Sequence, residues 1–555
     1  MAKKSKILRN VILALSCTAL GGCLPNDDPQ TGSQTNWLRA CVSDADCGSN
    51  SCECGVCTHF CSADSSCGDL PGSSCVATTD PAAIALCDGS IPAAGALCLA
   101  RCGAASVCSG QAVCIAGACT ATSLASAHVA IDLQTRFQTL SGLGATLAYA
   151  EPEVIQYSNA NELYTAMFAD LGLDTLRLRN RYGYFGDNNL ASAATIVDAA
   201  SASLGHRPTV VLASWSPPGA LKSNGSTVCQ GEEDSCTLVR LATGGFDYGA
   251  YASYWRDSLD AYAAAGVIPD YIAIQNNPDF IPTASKPLEA CKFLPTEGTL
   301  TVASGGKERS LQFPGYAQAI RAVLGRFQES GLSPKIIAPE ASEASLVSDY
   351  VRYLDPTIFD AIGHHLYGSV PGSPDLNQLR QLHEIAQSSG RPVFQTEMAA
   401  DGLGTAVLLH HTLVTEGASV YLQNALVGPS VDSGALIVVA DSKLALQPAY
   451  HALRQFSRST DPGWVRAQAD SDQASLLAST WVSPKGAVTV VVVNAGLDSF
   501  DVKLGLEVTS AAHSQVTRTV FDGVERSADL GSLPSNRIVR VPGHSVVTVA
   551  VDGPQ

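Results

Sequence analysis

Thr209-Val210-Val211-Leu212-Ala213-Ser214-Trp215-Ser216 is a short apolar run, partly β-branched, that ends in polar and aromatic residues. It reads as a β-strand. Comparable runs occur at Thr139–Tyr149, Leu173–Asn180, Tyr271–Asn276, Lys335–Ala341, Ala361–Tyr367, Pro392–Glu397 and Ala418–Ala425. Helix-like segments, among them Tyr248–Ala265, Tyr316–Ser330 and Asn377–Ser389, fall between them. Strands alternating with helices argue an α/β domain with a parallel sheet, and eight such units are what a (β/α)8 TIM barrel requires. The expected barrel spans 137–447.

Beyond it, the chain changes character at both ends. From Trp464 to Val551 come short apolar runs such as Ala487–Val493 and Ser545–Val551, separated by Gly, Pro and Asp turns. They predict a β-sandwich side domain built from 448–553 and an early strand within 128–136. Upstream, fourteen of the chain's 19 cysteines lie between Cys41 and Cys119. An even number in a loop-rich, exported segment reads as a disulfide module over 41–119, with a connectivity that sequence does not fix. Its spacing repeats weakly, since Cys41, Cys47, Cys52 and Cys57 are echoed by Cys102, Cys108, Cys114 and Cys119. A zinc ribbon could start from Cys54 and Cys57, but no second close pair completes it. Cys229 and Cys236 could close a short loop, whereas Cys291 looks unpaired.

The first residues explain why export is expected. Lys3, Lys4, Lys6 and Arg9 precede an apolar run, Val11–Leu20, that ends at Gly21-Gly22-Cys23. This is the layout of a secretory signal over 1–23, and Leu20-Gly21-Gly22-Cys23 resembles a lipobox, with Cys23 as the lipidated residue. An ordinary signal peptide cut nearby is the alternative. Residues 24–40 read as a polar linker. The expectation is a bacterial cell-envelope protein, held at the outer membrane or cell surface by its N-terminal lipid alone. A formal charge of −17 and the lack of Lys/Arg clusters argue against nucleic acid as a partner.

In a TIM barrel the C-terminal strand ends build the active site. Polar residues gather there. Arg177 and Arg179 end the second predicted strand, Trp215-Ser216-Pro217-Pro218 the third, Asn276-Asn277-Pro278-Asp279 the fourth, and Glu340 the fifth. His364, His365 and Tyr367 end the sixth and Thr396-Glu397 the seventh, while Tyr421 and Gln423 lie on the eighth. A Glu and an Arg at the ends of apolar strands are poorly explained as packing. The two histidines lack a further His or acid motif, so neither a metal nor a cofactor is expected. Ser214 and Ser216 lack a Gly-x-Ser-x-Gly elbow, which disfavours serine-hydrolase chemistry.

From about His128 onward the chain resembles glycoside hydrolase family 30, a group of retaining glycosidases on TIM barrels. The resemblance is carried, in order, by Ala213–Pro218 with Leu221–Asn224, by Ile274–Asp279, by His365-Leu366-Tyr367-Gly368, and by Thr396-Glu397. Tyr450–Arg466 looks like the family's passage from barrel to side domain. The resemblance implies a carbohydrate substrate, Glu397 as nucleophile, and Asn276 as the partner of the sugar 2-hydroxyl. It implies Arg177 beside Glu397, and Trp215, His365 and Tyr367 at the substrate.

The family's second carboxylate, the acid/base glutamate, maps onto Asn277. Retaining chemistry needs two carboxyl groups roughly 5–5.5 Å apart. An asparagine can neither protonate a leaving group nor deprotonate water, which removes assistance worth about 10²–10⁴-fold. Asp279, Glu340 and Asp401 are the conceivable replacements. Two readings follow: a retaining β-glycoside hydrolase with a substituted acid/base position, or a pseudoenzyme that binds carbohydrate without cleaving it. Family members that cut glucuronate-decorated xylan rely on an arginine after the last strands. None occurs between Arg391 and Arg454 here, so that specificity is not expected.

Overall fold

The computed structural model describes residues 125–553, apart from 185–189, 232–235, 305–306, 432–433, 507–512 and 523–524, together with short stretches between 44 and 121. The signal segment with Cys23, the linker, and Cys41, Cys54, Cys87, Cys102 and Cys108 lie outside the described residues.

Eight strands close into a parallel barrel: β1 (Gly142–Thr146), β2 (Thr175–Arg179), β3 (Thr209–Ala213), β4 (Tyr271–Ala273), β5 (Lys335–Ala341), β6 (Ala361–His365), β7 (Val393–Met398) and β8 (Val420–Asn424). The ring shuts where β8 pairs with β1, from Val420 opposite Gly142 to Asn424 opposite Thr146. Helices cover the outside, so both faces of each strand are enclosed; this is why the runs are apolar throughout rather than alternating with polar residues. Alternate side chains nevertheless go opposite ways. Val211, Ala213, Ala273, Ile337, Ala361, Phe394, Val420 and Leu422 fill the barrel interior, while Val210, Leu212, Ile272, Ile336, Ile362 and Tyr421 pack into the helical layer. Gly144 is needed for closure, because a Cβ there would run into the Thr175 carbonyl.

The helices end where local chemistry ends them. Asp247 caps Tyr248–Ala264 by accepting from the Ala250 amide at 2.8 Å, and Asp375 caps Leu376–Ser389 in the same manner. Gly331 and Gly390 stop Tyr316–Ser330 and Leu376–Ser389 with φ of 71° and 66°, backbone that glycine adopts without strain. Tyr248–Ala264 also fixes the barrel's top edge. Its Tyr251 and Trp255, both fully buried, donate to the Ile274 carbonyl at 2.5 and 3.2 Å. That pins the backbone immediately before Gln275-Asn276-Asn277.

Among the described residues the side domain is one nine-stranded sheet that curls on itself around its own apolar core, which includes Val129, Val490, Val502, Val541 and Val549. Its long strand Ala125–Thr139 pairs antiparallel with Val465–Ser471 and parallel with Phe500–Leu504. The helix Pro448–Ser457 joins the two units. Arg454 pairs with Asp170 at 2.7 Å on the barrel side, and Thr548 donates to the Gln455 carbonyl at 2.7 Å on the other.

In the cysteine-rich region the described residues carry Cys47–Cys57, Cys61–Cys75 and Cys67–Cys98 disulfides, set among short strands whose Val76, Leu97 and Leu99 are buried. Cys57 is therefore committed to a disulfide rather than to a metal. Cys229 is bonded to Cys236, and Cys291 is free and buried, with its thiol pushed up to about 11 by burial.

Candidate active site

A cleft of about 500 Å³ opens at the C-terminal ends of the barrel strands. Backbone hydrogen bonds continue past the strands to shape its floor. The Asn276 amide donates to the Ser214 carbonyl at 2.8 Å and the Asn277 amide to the Glu340 carbonyl at 3.1 Å. Gln275, fully buried, uses its side-chain amide on the Trp215 and Asn276 carbonyls. The motif after β4 is thus held to both neighbouring strands.

Glu397, at the end of β7 and 5% exposed, reaches the floor of this cleft. One oxygen, Oε2, accepts from Arg177 Nη1 at 2.7 Å; the other, Oε1, accepts from the Tyr367 hydroxyl at 2.7 Å and from Asn424 Nδ2 at 3.4 Å. Charge-assisted bonds of this kind fix a carboxylate's orientation as well as stabilise it. Arg177 is fully buried and serves more than Glu397: its Nη2 donates to Asn276 Oδ1 at 2.6 Å and to Glu340 Oε2 at 2.8 Å. Burial alone would depress the guanidinium's pKa, but Glu340 and Glu397 outweigh it and the value is raised. Burial and the Glu397 charge likewise push the Tyr367 hydroxyl above its ordinary value, so it remains a donor.

With Asn276 Oδ1 taken by Arg177, its amide nitrogen is left as a donor at the cleft. Asn277 beside it has a left-handed backbone, φ 47°, and its Oδ1 has no hydrogen-bond partner. Trp215 lines the cleft with the Arg177 guanidinium 4.4 Å from its ring centroid. Of the residues singled out in sequence, Trp215, Asn276, Asn277, Tyr367 and Glu397 line the cleft. Arg177 and His365 lie beneath it, fully buried. Burial first, and Arg177 second, hold the His365 imidazole well below its ordinary pKa, and neither ring nitrogen has a partner. His364 points the other way, into the helical layer, where Nε2 meets Glu416 at 2.6 Å. Tyr421 and Gln423 also face outward and bond each other.

The three conceivable replacement acids are occupied elsewhere. Asp279 binds the amide and hydroxyl of Ser342. Asp401 caps the helix Gly402–His411. Glu340 is fully buried under Arg177, away from the cleft surface. Sequence reading missed Asn424, whose place at the end of β8 could have signalled it. It also missed Tyr149 and Glu289, which line the cleft from segments without a motif, and Tyr184, whose hydroxyl donates to Glu289. There Glu289 pairs with Arg179 at 3.1 Å, and Arg179 stacks over the Tyr149 ring at 3.9 Å.

No family model matches the sequence. The chain is 22% identical over 409 residues to the glucuronoxylanase XynC of Bacillus subtilis, covering 69% of this chain and 81% of that protein. Among solved structures it resembles the catalytic domain of a family 30 xylanase C from Talaromyces cellulolyticus, with a TM-score of 0.59 and 18% identity over 77% of this chain and all of that one. The family 30 subfamily 8 xylanase Xyn30A of Clostridium acetobutylicum gives a TM-score of 0.55 and 20% identity, with the same coverage. These likenesses bear out the barrel with its β side domain.

Proposed function

We propose that this chain is an exported, lipid-anchored retaining β-glycoside hydrolase of the family 30 kind, acting on a polysaccharide or glycoconjugate with its acid/base position held by Asn277. The observation that carries the reading is Glu397, clamped by Arg177, Tyr367 and Asn424 at the floor of a cleft that Asn276 and Trp215 also line. A clamped carboxylate with one face to a cleft suits attack on an anomeric carbon. Its Oε forms a bond to C1 as the C1–oxygen bond breaks, and the leaving oxygen takes the electron pair. Asn276 Nδ2 would donate to the sugar 2-hydroxyl, a contact that strengthens in the transition state. The named relatives are xylanases, which supports a β-glycan as substrate class. Export is supported by the disulfides, which persist in oxidising compartments.

Asn277 also favours a second reading, a protein that binds glycans without cleaving them, because its amide offers no proton and Asp279, Asp401 and Glu340 are engaged elsewhere. Aryl β-glycosides decide between the two, since an activated leaving group departs without a proton. The expected result is nitrophenol release that rises with azide, gives a β-glycosyl azide, and vanishes in Glu397→Gln. Sugar binding with no release across a panel of aryl glycosides would establish the binding protein.

A further inference from the structure

Glu289 stands in the cleft wall on a short paired arm. Its two-residue strand, Leu288–Glu289, pairs antiparallel with Val228–Cys229, and the disulfide to Cys236 ties that arm down among buried Ala290 and partly buried Ile281. The side chain is held from one side. Its Oε2 accepts from Arg179 Nη1 at 3.1 Å, from the Tyr184 hydroxyl at 3.4 Å and from the Tyr149 hydroxyl at 3.5 Å, whereas no hydrogen bond ends on Oε1 among the described residues. Tyr149 meets Trp215 edge to face with centroids 6.2 Å apart. Together they form a wall with an aromatic surface and one carboxylate oxygen whose lone pairs are unused. That is the equipment for stacking a sugar ring and accepting its hydroxyls.

The charge of the wall narrows the choice of sugar. Among the described residues the cleft-lining carboxylates are Glu289, Glu343 and Glu397, and the cleft-lining cation is Lys286. Arg177 and Arg179 sit behind the surface with their charge already engaged by Glu340, Glu397 and Glu289. A uronate entering beside Glu289 would meet a like charge in a lining where, among the described residues, carboxylates outnumber the cation Lys286, and such repulsion is an effective means of rejecting a ligand.

We propose that Glu289 is a specificity-determining residue that accepts hydroxyls of a neutral β-linked sugar and excludes uronate-bearing glycans. The proposal rests on reading the cleft as a glycan site. It is tested on the full chain by calorimetry with xylotetraose, cellotetraose, a β-1,6-glucotetraose and glucuronate-substituted xylotetraose. At least one neutral tetraose is expected to bind, and the uronate-bearing one to bind at least about 10-fold more weakly. Glu289→Gln keeps the shape, removes the charge, and should weaken the neutral ligand about 10-fold while narrowing the gap to the uronate. Glu289→Asp keeps the charge but shortens the reach; it should weaken the neutral ligand and still reject the uronate. A neutral tetraose that binds both variants as tightly as the wild type would overturn the proposal alone. Tighter binding of the uronate by the wild type would do the same. Failure of every sugar to bind the wild type would overturn both this proposal and the glycan reading beneath it.

Discussion

Restoring a carboxyl at residue 277 is the most direct perturbation of the chemistry proposed here. Asn277→Glu sacrifices little, since Oδ1 of the asparagine has no partner to lose and the cleft of about 500 Å³ accommodates one more methylene. The cost lies in the backbone. With φ at 47°, a residue less tolerant of the left-handed region than asparagine should lose about 1 kcal/mol of stability. General acid–base assistance contributes about 10²–10⁴-fold, or about 3–5 kcal/mol of barrier, when the leaving group is a sugar hydroxyl, and much less when it is nitrophenolate. The two substrates should therefore diverge. Turnover of unactivated oligosaccharides is expected to rise by about two to four decades in the variant, with aryl glycoside cleavage changing by less than about one. Azide should no longer accelerate the variant, because water now has a base. The assay is initial-rate kinetics on both substrate types, with chemical denaturation to register the backbone cost. A variant that binds an oligosaccharide, remains folded and gains no turnover on it would refute the assignment of residue 277 as the vacant acid/base position.

Arg177 and Asp174 give further tests. Replacing Arg177 with Met strands Glu340 and Glu397, which share its buried guanidinium, and should destabilise the chain by about 3–5 kcal/mol in urea unfolding; a loss below about 1 kcal/mol would show that the cluster does not depend on its cation. Asp174, buried and facing Asp461, has its carboxyl pushed up to about 8. Between roughly pH 4 and 8 the folded state keeps a proton that the unfolded chain has released, so this contribution is complete below about pH 4 and is lost as pH rises through about 8. Asp174→Asn should flatten that slope and stabilise the protein at pH 8 relative to pH 5, read as the shift in urea midpoint; an unchanged slope would contradict the buried, protonated carboxyl.

What the sequence by itself determined is the set of local decisions. Eight apolar runs with polar ends are strands wherever they end up. Asp247 and Asp375 precede helices because their side chains can take an orphaned amide, and Gly331 and Gly390 follow helices because they adopt positive φ. The order of Trp215, Asn276, Asn277, Tyr367 and Glu397 along successive strand ends was legible because a parallel barrel brings all such ends to one face. Tertiary structure decided the rest. Whether His364 or His365 faces inward depends on the register of β6 against its neighbours, since a shift of one residue exchanges the two faces. The cysteine pairing depends on which short strands meet, and spacing does not encode that. Arg177 joins Glu340 to Glu397 across 163 and 220 residues of chain, and Glu289 meets Arg179 across 110. Such contacts arise only when the ring closes and the loops above it settle, so no local pattern announces them.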